Sequence, residues 1–199
     1  MSLGFGCKYL IKNGSNAYGV SADSYQYRGR VASALQGIWM GKTTVAAAEF
    51  EDEFVVALKD IFEEKVVFNK VLGLKIVSVR PERVTARIDM QPELVGHYAH
   101  NRLHGGVISA GLDSMGGLAV MAAIGARHMD EAPLQRLQRF AKLGTIDLRV
   151  DYLRPGIGSH FELRAEVLRL GSRVATTRME FLGADGKLLS SGAAAYIVS

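Results

Sequence analysis

His104, Gly105 and Gly106 open an apolar run over residues 105 to 126 in which Asp113 is the only charged side chain. A carboxylate inside a run that otherwise reads as core must lose its charge or find partners, and packing gives no reason for it to be there. Asp113 is therefore the first candidate for chemistry. If the run is a helix, His104 falls near its capping position, and the two glycines leave the first-turn amides uncovered. Such amides, with the helix dipole behind them, favour an anion or a developing oxyanion, and the missing side chains let a substrate carbonyl come close. An ordinary capping turn is the competing reading of His-Gly-Gly taken alone.

Other chemistries find less support. His97, His100 and His104 could bring imidazoles together, with Asp113, His128 or His160 completing a metal site, but no HExxH pattern or cysteine pair accompanies them, so no metal is expected. Gly41-Lys42-Thr43 resembles the end of a phosphate-binding loop, yet Gln36 stands where the first glycine belongs. The single cysteine, Cys7, excludes an intrachain disulfide and fits a reducing compartment, and it is not expected to act as a nucleophile. The first residues hold no continuous apolar segment, so the expected location is cytoplasmic. A net charge of +4 suits an anionic ligand, but no lysine-arginine run or zinc-finger spacing points to nucleic acid. The run at 105 to 126 is nearly long enough to cross a membrane, but its six glycines and its aspartate make it a poor lipid-facing span.

The elements that must position these residues follow from periodicity. Residues 1 to 44 mix glycine, serine, tyrosine and asparagine without a period and read as a weakly ordered extension, and Met40 could serve as an alternative start. Residues 45 to 199 form the domain. Within 45 to 64, Phe50, Phe54, Ala57, Leu58 and Ile61 recur at three- and four-residue steps, which predicts an amphipathic helix. Strands follow at 74 to 79 and 84 to 90, where the period becomes two. After the buried helix, which its glycines at 111, 116 and 117 should let approach a sheet closely, comes a polar insert at 127 to 144. There Leu134, Leu137 and Ala141 are expected inside, and Arg136, Arg139 and Lys142 on a solvated basic face. Four strands then succeed one another. In the first, Ile146, Leu148, Val150 and Tyr152 should face inward, Tyr152 as core. Short turns between strands force antiparallel pairing, so the fold class is α+β, one long central helix against a curved antiparallel sheet.

Two segments carry a resemblance. LVGHYAHNRLHGGVISAGLDSMGG, with aspartate nine residues after histidine, and GTIDLRVDYLRPG from 144 to 156 resemble the hotdog-fold acyl-CoA thioesterases of the phenylacetate-pathway type, over roughly residues 60 to 199. The resemblance implies that Asp113 is general base or nucleophile, that the Gly105 amide polarises the thioester carbonyl, that His104 supports that turn, and that Thr145 helps hold the attacking water. It places His97, Asn101 and Gly106 among the substrate contacts and Arg154 near the coenzyme A phosphates. No cofactor is implied; the partners implied are an acyl-CoA substrate and a second copy of the chain, as a homodimer or a dimer of dimers. Many relatives carry asparagine six or seven residues before the histidine; this chain has Tyr98 and His97 there, and Asn101 only three residues before.

The chemistry agrees: a thioester expels a thiolate whose conjugate acid has a pKa near ~8.5, so one carboxylate and an oxyanion hole suffice without a serine-histidine-aspartate arrangement. Along a helix rising 1.5 Å per residue, His104 and Asp113 lie roughly 13 Å apart, too far to act on one carbonyl within a protomer. A site shared by two protomers is expected. The rival reading is a non-catalytic acyl-CoA-binding hotdog module, a sensor or regulator.

Overall fold

The computed structural model describes residues 49–199. The expected extension at 1 to 44, Met40, Cys7 and Gly41-Lys42-Thr43 lie outside the described residues, as do the first residues of the helix expected at 45 to 64.

Two helical segments precede the sheet. In α1 (Asp52–Lys59), Asp52 and Glu53 stand in the first turn and Lys59 in the last, each favourable to the helix dipole, and Phe54 and Leu58 are buried. A single π-helical turn, Asp60–Lys65, continues it and buries Phe62. A second helix, α2 (Val67–Leu72), was not expected. Its burial runs against its composition: Asn69 and Leu72 are inside while Val67, Phe68 and Val71 are exposed. It stops at Gly73, whose φ of 65° is the left-handed cap conformation that glycine adopts without steric cost.

The strands β1 (Leu74–Val79) and β2 (Val84–Asp89) sit where the period of two places them. A small hairpin of β3 (Val95–His97) and β4 (Arg102–Leu103) leads into α3 (Gly105–Arg127). The insert forms a short helix, α4 (Pro133–Gln138), and a 3-10 turn, Arg139–Lys142. Then come β5 (Gly144–Tyr152), β6 (His160–Leu170), β7 (Val174–Gly183) and β8 (Leu188–Ile197). The main sheet has six strands in the order β1-β2-β6-β7-β8-β5, every pairing antiparallel. The fold class expected from the sequence, α+β with one long helix against an antiparallel sheet, is the one observed.

One connection differs from simple succession. β5 pairs with β8 at the sheet edge, and β6 pairs with β2 and β7, so residues 153 to 159 carry the chain past β8 and β7 instead of closing a hairpin. Among the last four strands, hairpins join β6 to β7 and β7 to β8.

α3 has the length and composition of a membrane span, but 72% of its most apolar window is buried inside this fold, where it is the core helix. Close approach explains Gly111, where a Cβ would stand 2.8 Å from Leu163 Cδ2 and 3.3 Å from Ile88 Cδ1, both sheet residues. Gly117, expected in the same role, faces Leu143 and Phe62 with ordinary room. The basic face expected on the insert is also corrected. Arg136 is completely buried, donates to Glu51 and to the Gly125 carbonyl, and lies over the Phe54 ring at 4.4 Å, whereas Leu134 and Ala141 are exposed. Its long stem and delocalised cation fill a site that charge alone would assign to the surface.

Candidate active site

The first turn of α3 is set by its cap. His104 is the N-cap residue, and its Nδ1 accepts the Gly106 N–H at 2.8 Å, so that nitrogen carries no proton in this arrangement. The strand-like residue before the helix is pinned by backbone bonds: His104 N–H donates to the Leu94 carbonyl at 2.8 Å and Leu103 N–H to the Gly156 carbonyl at 2.9 Å. Val107 N–H donates to the His104 carbonyl at 3.0 Å. Of the two glycines, Gly106 thus spends its amide on the cap, and the Gly105 amide has no acceptor among the described residues.

Around Gly105 lies a cleft of about 560 Å³, walled by His104, Ile108, Arg102 and the segment from Tyr152 to Gly156. That volume lies within the range of small-molecule sites. Tyr152 is not core, as the strand pattern suggested: it is 55% exposed, and its hydroxyl donates to the Gly105 carbonyl at 3.0 Å. Arg154 lines the cleft, and one of its guanidinium nitrogens donates to the Leu188 carbonyl at 2.8 Å, which holds the side chain at the rim. Arg102, also at the cleft, escaped the sequence reading because a single arginine beside a turn carries no distinguishing signal. His97 and Asn101 are not among the residues lining this cleft. Asn101 makes the left-handed turn between β3 and β4 at φ 45° and borders a separate depression near Met90 and Tyr98. The His97 ring stacks on His100 at 4.9 Å.

Asp113 lies two turns further along α3, half-buried. Its Oδ1 accepts the Thr145 hydroxyl at 2.9 Å and stands 3.2 Å from the Tyr196 hydroxyl, which also reaches the Asp113 backbone carbonyl at 2.9 Å. Oδ2 has no hydrogen-bond partner among the described residues. One carboxylate oxygen is fixed and the other is left free to take a proton or to attack. Burial, and then the neighbouring Asp113 carboxylate, push the Tyr196 phenol up from its ordinary value, so it remains a donor. Beside Asp113, Ser114 donates to Asn69 Oδ1 at 2.7 Å, and the buried Asn69 in turn donates to the Phe62 carbonyl at 2.9 Å. This chain ties the carboxylate-bearing turn of α3 to the π-helical turn and α2.

Thr145 reaches Asp113 because of an irregularity that the period of two conceals. Along the β5–β8 ladder Thr145 pairs with Tyr196 and Asp147 with Ala195, which leaves Ile146 as an extra residue, a β-bulge. Directly paired residues share a face, so Thr145 joins Leu148, Val150 and Tyr152 on the side of α3. Ile146, expected inside, is 57% exposed. Without the bulge Thr145 would point to the other side of the sheet.

Comparison with known proteins identifies the family. Residues 100–190 match the model of the thioesterase superfamily, a segment that contains His104, Gly105, Asp113 and Thr145. The chain is 37% identical over 139 residues to the medium/long-chain acyl-CoA thioesterase YigI of Escherichia coli strain K12, covering 70% of this chain and 90% of that protein. The crystal structure of a Shewanella oneidensis protein related to the thioesterase superfamily superposes with a TM-score of 0.70 at 39% identity, over 74% of this chain and 96% of that one. A thioesterase family protein from Silicibacter pomeroyi shares the fold with a TM-score of 0.57 at 23% identity, over 72% of this chain and 96% of that one. With its long helix, antiparallel sheet and matched segment in register with these relatives, the chain belongs to the thioesterase superfamily.

Proposed function

We propose that this protein hydrolyses acyl-CoA thioesters to free acid and coenzyme A, with Asp113 as general base or nucleophile and the Gly105 amide polarising the carbonyl. The observation that carries the reading is the pairing of an unengaged helix-start amide with a carboxylate whose Oδ1 is fixed and whose Oδ2 is free. In the base form of the reaction, Oδ2 takes a proton from water, the water oxygen bonds to the carbonyl carbon, and negative charge collects on the carbonyl oxygen at the Gly105 N–H. Collapse breaks the C–S bond, and the thiolate leaves with little need of protonation at neutral pH. In the nucleophile form, Oδ2 bonds to the carbonyl carbon, the C–S bond breaks to release the thiolate, and water cleaves the resulting anhydride to free acid and the Asp113 carboxylate.

Gly105 and Asp113 are eight residues apart on α3, roughly 12 Å of helix rise, so one carbonyl does not touch both in a single chain. The site is assembled from Gly105 of one protomer and Asp113 of the partner subunit, two equivalent sites per two-fold dimer. The open edge of β5, with exposed Ile146 and Tyr152 on it and Leu153 just beyond its end, supports a subunit contact beside both groups. Arg154, held at the cleft rim, contacts coenzyme A phosphates, and Arg102 adds charge on the same side. Thr145 holds the carboxylate that directs the water.

The similarity to a medium/long-chain acyl-CoA thioesterase points to an acyl chain of that class. The test is thiol release from a panel of acyl-CoAs running from short to long chains and including an aromatic one. Turnover that rises toward medium and long chains is expected; tight binding without thiol release would replace the hydrolase reading with a non-catalytic acyl-CoA module.

A further inference from the structure

Asp113 receives a hydrogen bond from a buried phenol to which the hydrolysis reading gives no part. We propose that Tyr196 is a positioning residue for the reaction: it fixes the Asp113 carboxylate relative to the α3 backbone so that Oδ2 is presented to the substrate. The inference rests on the role given to Asp113 above.

Three independent features of the molecule converge on it. The first is the contact itself. Tyr196 is 1% exposed, and its hydroxyl lies 2.9 Å from the Asp113 carbonyl oxygen and 3.2 Å from Oδ1 of the same residue. A phenol has one proton to donate, and here both candidate acceptors belong to one residue, so side chain and backbone of Asp113 are tied through a single rigid group.

The second feature is the space reserved for it. Gly116 follows Asp113 by three residues and so lies on the same face of α3. A Cβ there would stand only 2.1 Å from the Tyr196 hydroxyl oxygen. A glycine inside a helix costs about 1 kcal/mol relative to alanine, and in this position the cost admits the hydroxyl. The same Cβ would stand 2.8 Å from the ring carbon Cζ, so the glycine makes room for the whole phenol end, with the tightest contact at the hydroxyl.

The third is register. Tyr196 is the directly paired neighbour of Thr145 across β8 and β5, at the bulge that turns Thr145 toward α3. The two hydroxyls that reach Oδ1 therefore come from one cross-strand pair. No ion pair among the described residues involves Asp113, so these hydroxyls are its polar anchors. A tyrosine that was merely core would need some partner for its hydroxyl, but any backbone carbonyl would serve. Convergence with Thr145 on the carboxylate is the additional observation.

The experiment is a double-mutant cycle on thiol release from a medium-chain acyl-CoA, using full-length protein with folding verified by circular dichroism and thermal unfolding. Tyr196→Phe keeps the ring and removes the hydroxyl. Loss of a hydrogen bond to a charged group should lower kcat roughly ten- to a hundredfold and leave KM within about twofold. In an Asp113→Asn background, where no carboxylate remains to be aimed, the same change should alter the residual rate less than about twofold. Gly116→Ala, which keeps the phenol but displaces it, should lower kcat in the same direction, and it decides the matter if Tyr196→Phe does not fold. A folded Tyr196→Phe with kcat within twofold of wild type, beside an inactive Asp113→Asn, overturns the positioning role and leaves the role of Asp113 standing. An equal loss in both backgrounds also overturns it, since that marks a general effect on the fold. Near-normal turnover in Asp113→Asn would instead remove the role of Asp113 itself.

Discussion

The two ends of α3 are finished in opposite ways. At the C-terminal end the Gly125 carbonyl receives a guanidinium N–H from Arg136, which is fully buried, paired with Glu51 and packed on Phe54. At the N-terminal end Gly105 lines a cleft, and its amide has no acceptor among the described residues. Every helix leaves backbone groups unpaired at both ends, and a fold concerned only with stability would complete both. A carbonyl with two donors at one end and an amide with no acceptor at the other mark the N-terminal end as the place where a ligand can supply a missing partner. Substitutions in the first half of α3 and its surroundings should therefore change turnover and spare stability, and those at the far end should do the reverse.

Asp113→Asn gives the largest expected effect on the catalytic side: kcat falls by roughly 10² to 10⁴ in a thiol-release assay, with KM nearly unchanged and an unfolding midpoint close to wild type. A folded variant with wild-type kcat would remove Asp113 from the chemistry. The largest effect on the structural side is expected of Arg136→Ala. It removes one of the two donors to the buried Gly125 carbonyl, leaves Glu51 without its partner and empties packed volume, for a cost of about 2–4 kcal/mol. Calorimetry should show a midpoint lower by roughly 5–15 °C, with kcat of the folded protein unaltered. A midpoint within a degree of wild type would mean that the C-terminal end is not held as its contacts indicate.

Smaller effects sharpen the division. Tyr152→Phe removes the hydroxyl donated to the Gly105 carbonyl, and kcat should drop roughly two- to tenfold without loss of stability. Arg154→Ala should raise KM and leave kcat, the pattern of binding energy shared by ground and transition states; an unchanged KM at low salt would take Arg154 out of the coenzyme A contact. The smallest effect concerns pH. The hydrogen bond from Arg136, then one from the Glu51 backbone N–H, and last the guanidinium charge hold the Glu51 carboxyl below its ordinary value of 4.5. A carboxyl lowered on folding stabilises the protein above its unfolded value and loses that contribution as pH falls through its folded one. The difference in unfolding midpoint between wild type and Glu51→Gln should accordingly be full at neutral pH and shrink below about 4.5; a difference independent of pH would show that Glu51 acts only through packing.

What the sequence disclosed depended on whether a residue broke a local pattern. Asp113 did, as a charge in an apolar run, and the paired glycines after His104 did, so both halves of the candidate site were visible before any fold was known. The strands β2, β6 and β7 were equally legible, since apolar and polar residues alternate along them, and β8 followed from the Asp185-Gly186 turn before it. The rest was hidden by physics that acts between segments. The bulge at Ile146 changes which face Thr145 occupies, yet Ile146, Leu148, Val150 and Tyr152 alternate without interruption. Arg136 was assigned to the surface because its burial depends on Glu51 and Phe54, some eighty residues away. α2 was missed because it buries an asparagine and exposes a phenylalanine. Tyr196, in the last strand, carried no signal of its own in the sequence; its contact with Asp113 and the room left by Gly116 exist only in the fold.

The most direct test of a site built from two protomers is complementation between two inactive variants. Gly105→Pro deletes the proposed donor and little else. Proline is favoured at the first position of a helix, the His104 backbone at φ −68° and ψ 136° suits a following proline, and a Cβ at position 105 would meet Tyr152 at an ordinary 3.4 Å. Asp113→Asn deletes the carboxylate. In a mixed dimer one site combines the intact Gly105 of one chain with the intact Asp113 of the other, while the second site lacks both. Free exchange of equal amounts should then yield about a quarter of wild-type thiol release from two proteins that are each inactive alone. Two folded variants shown to exchange subunits, and still inactive together, would contradict the shared site.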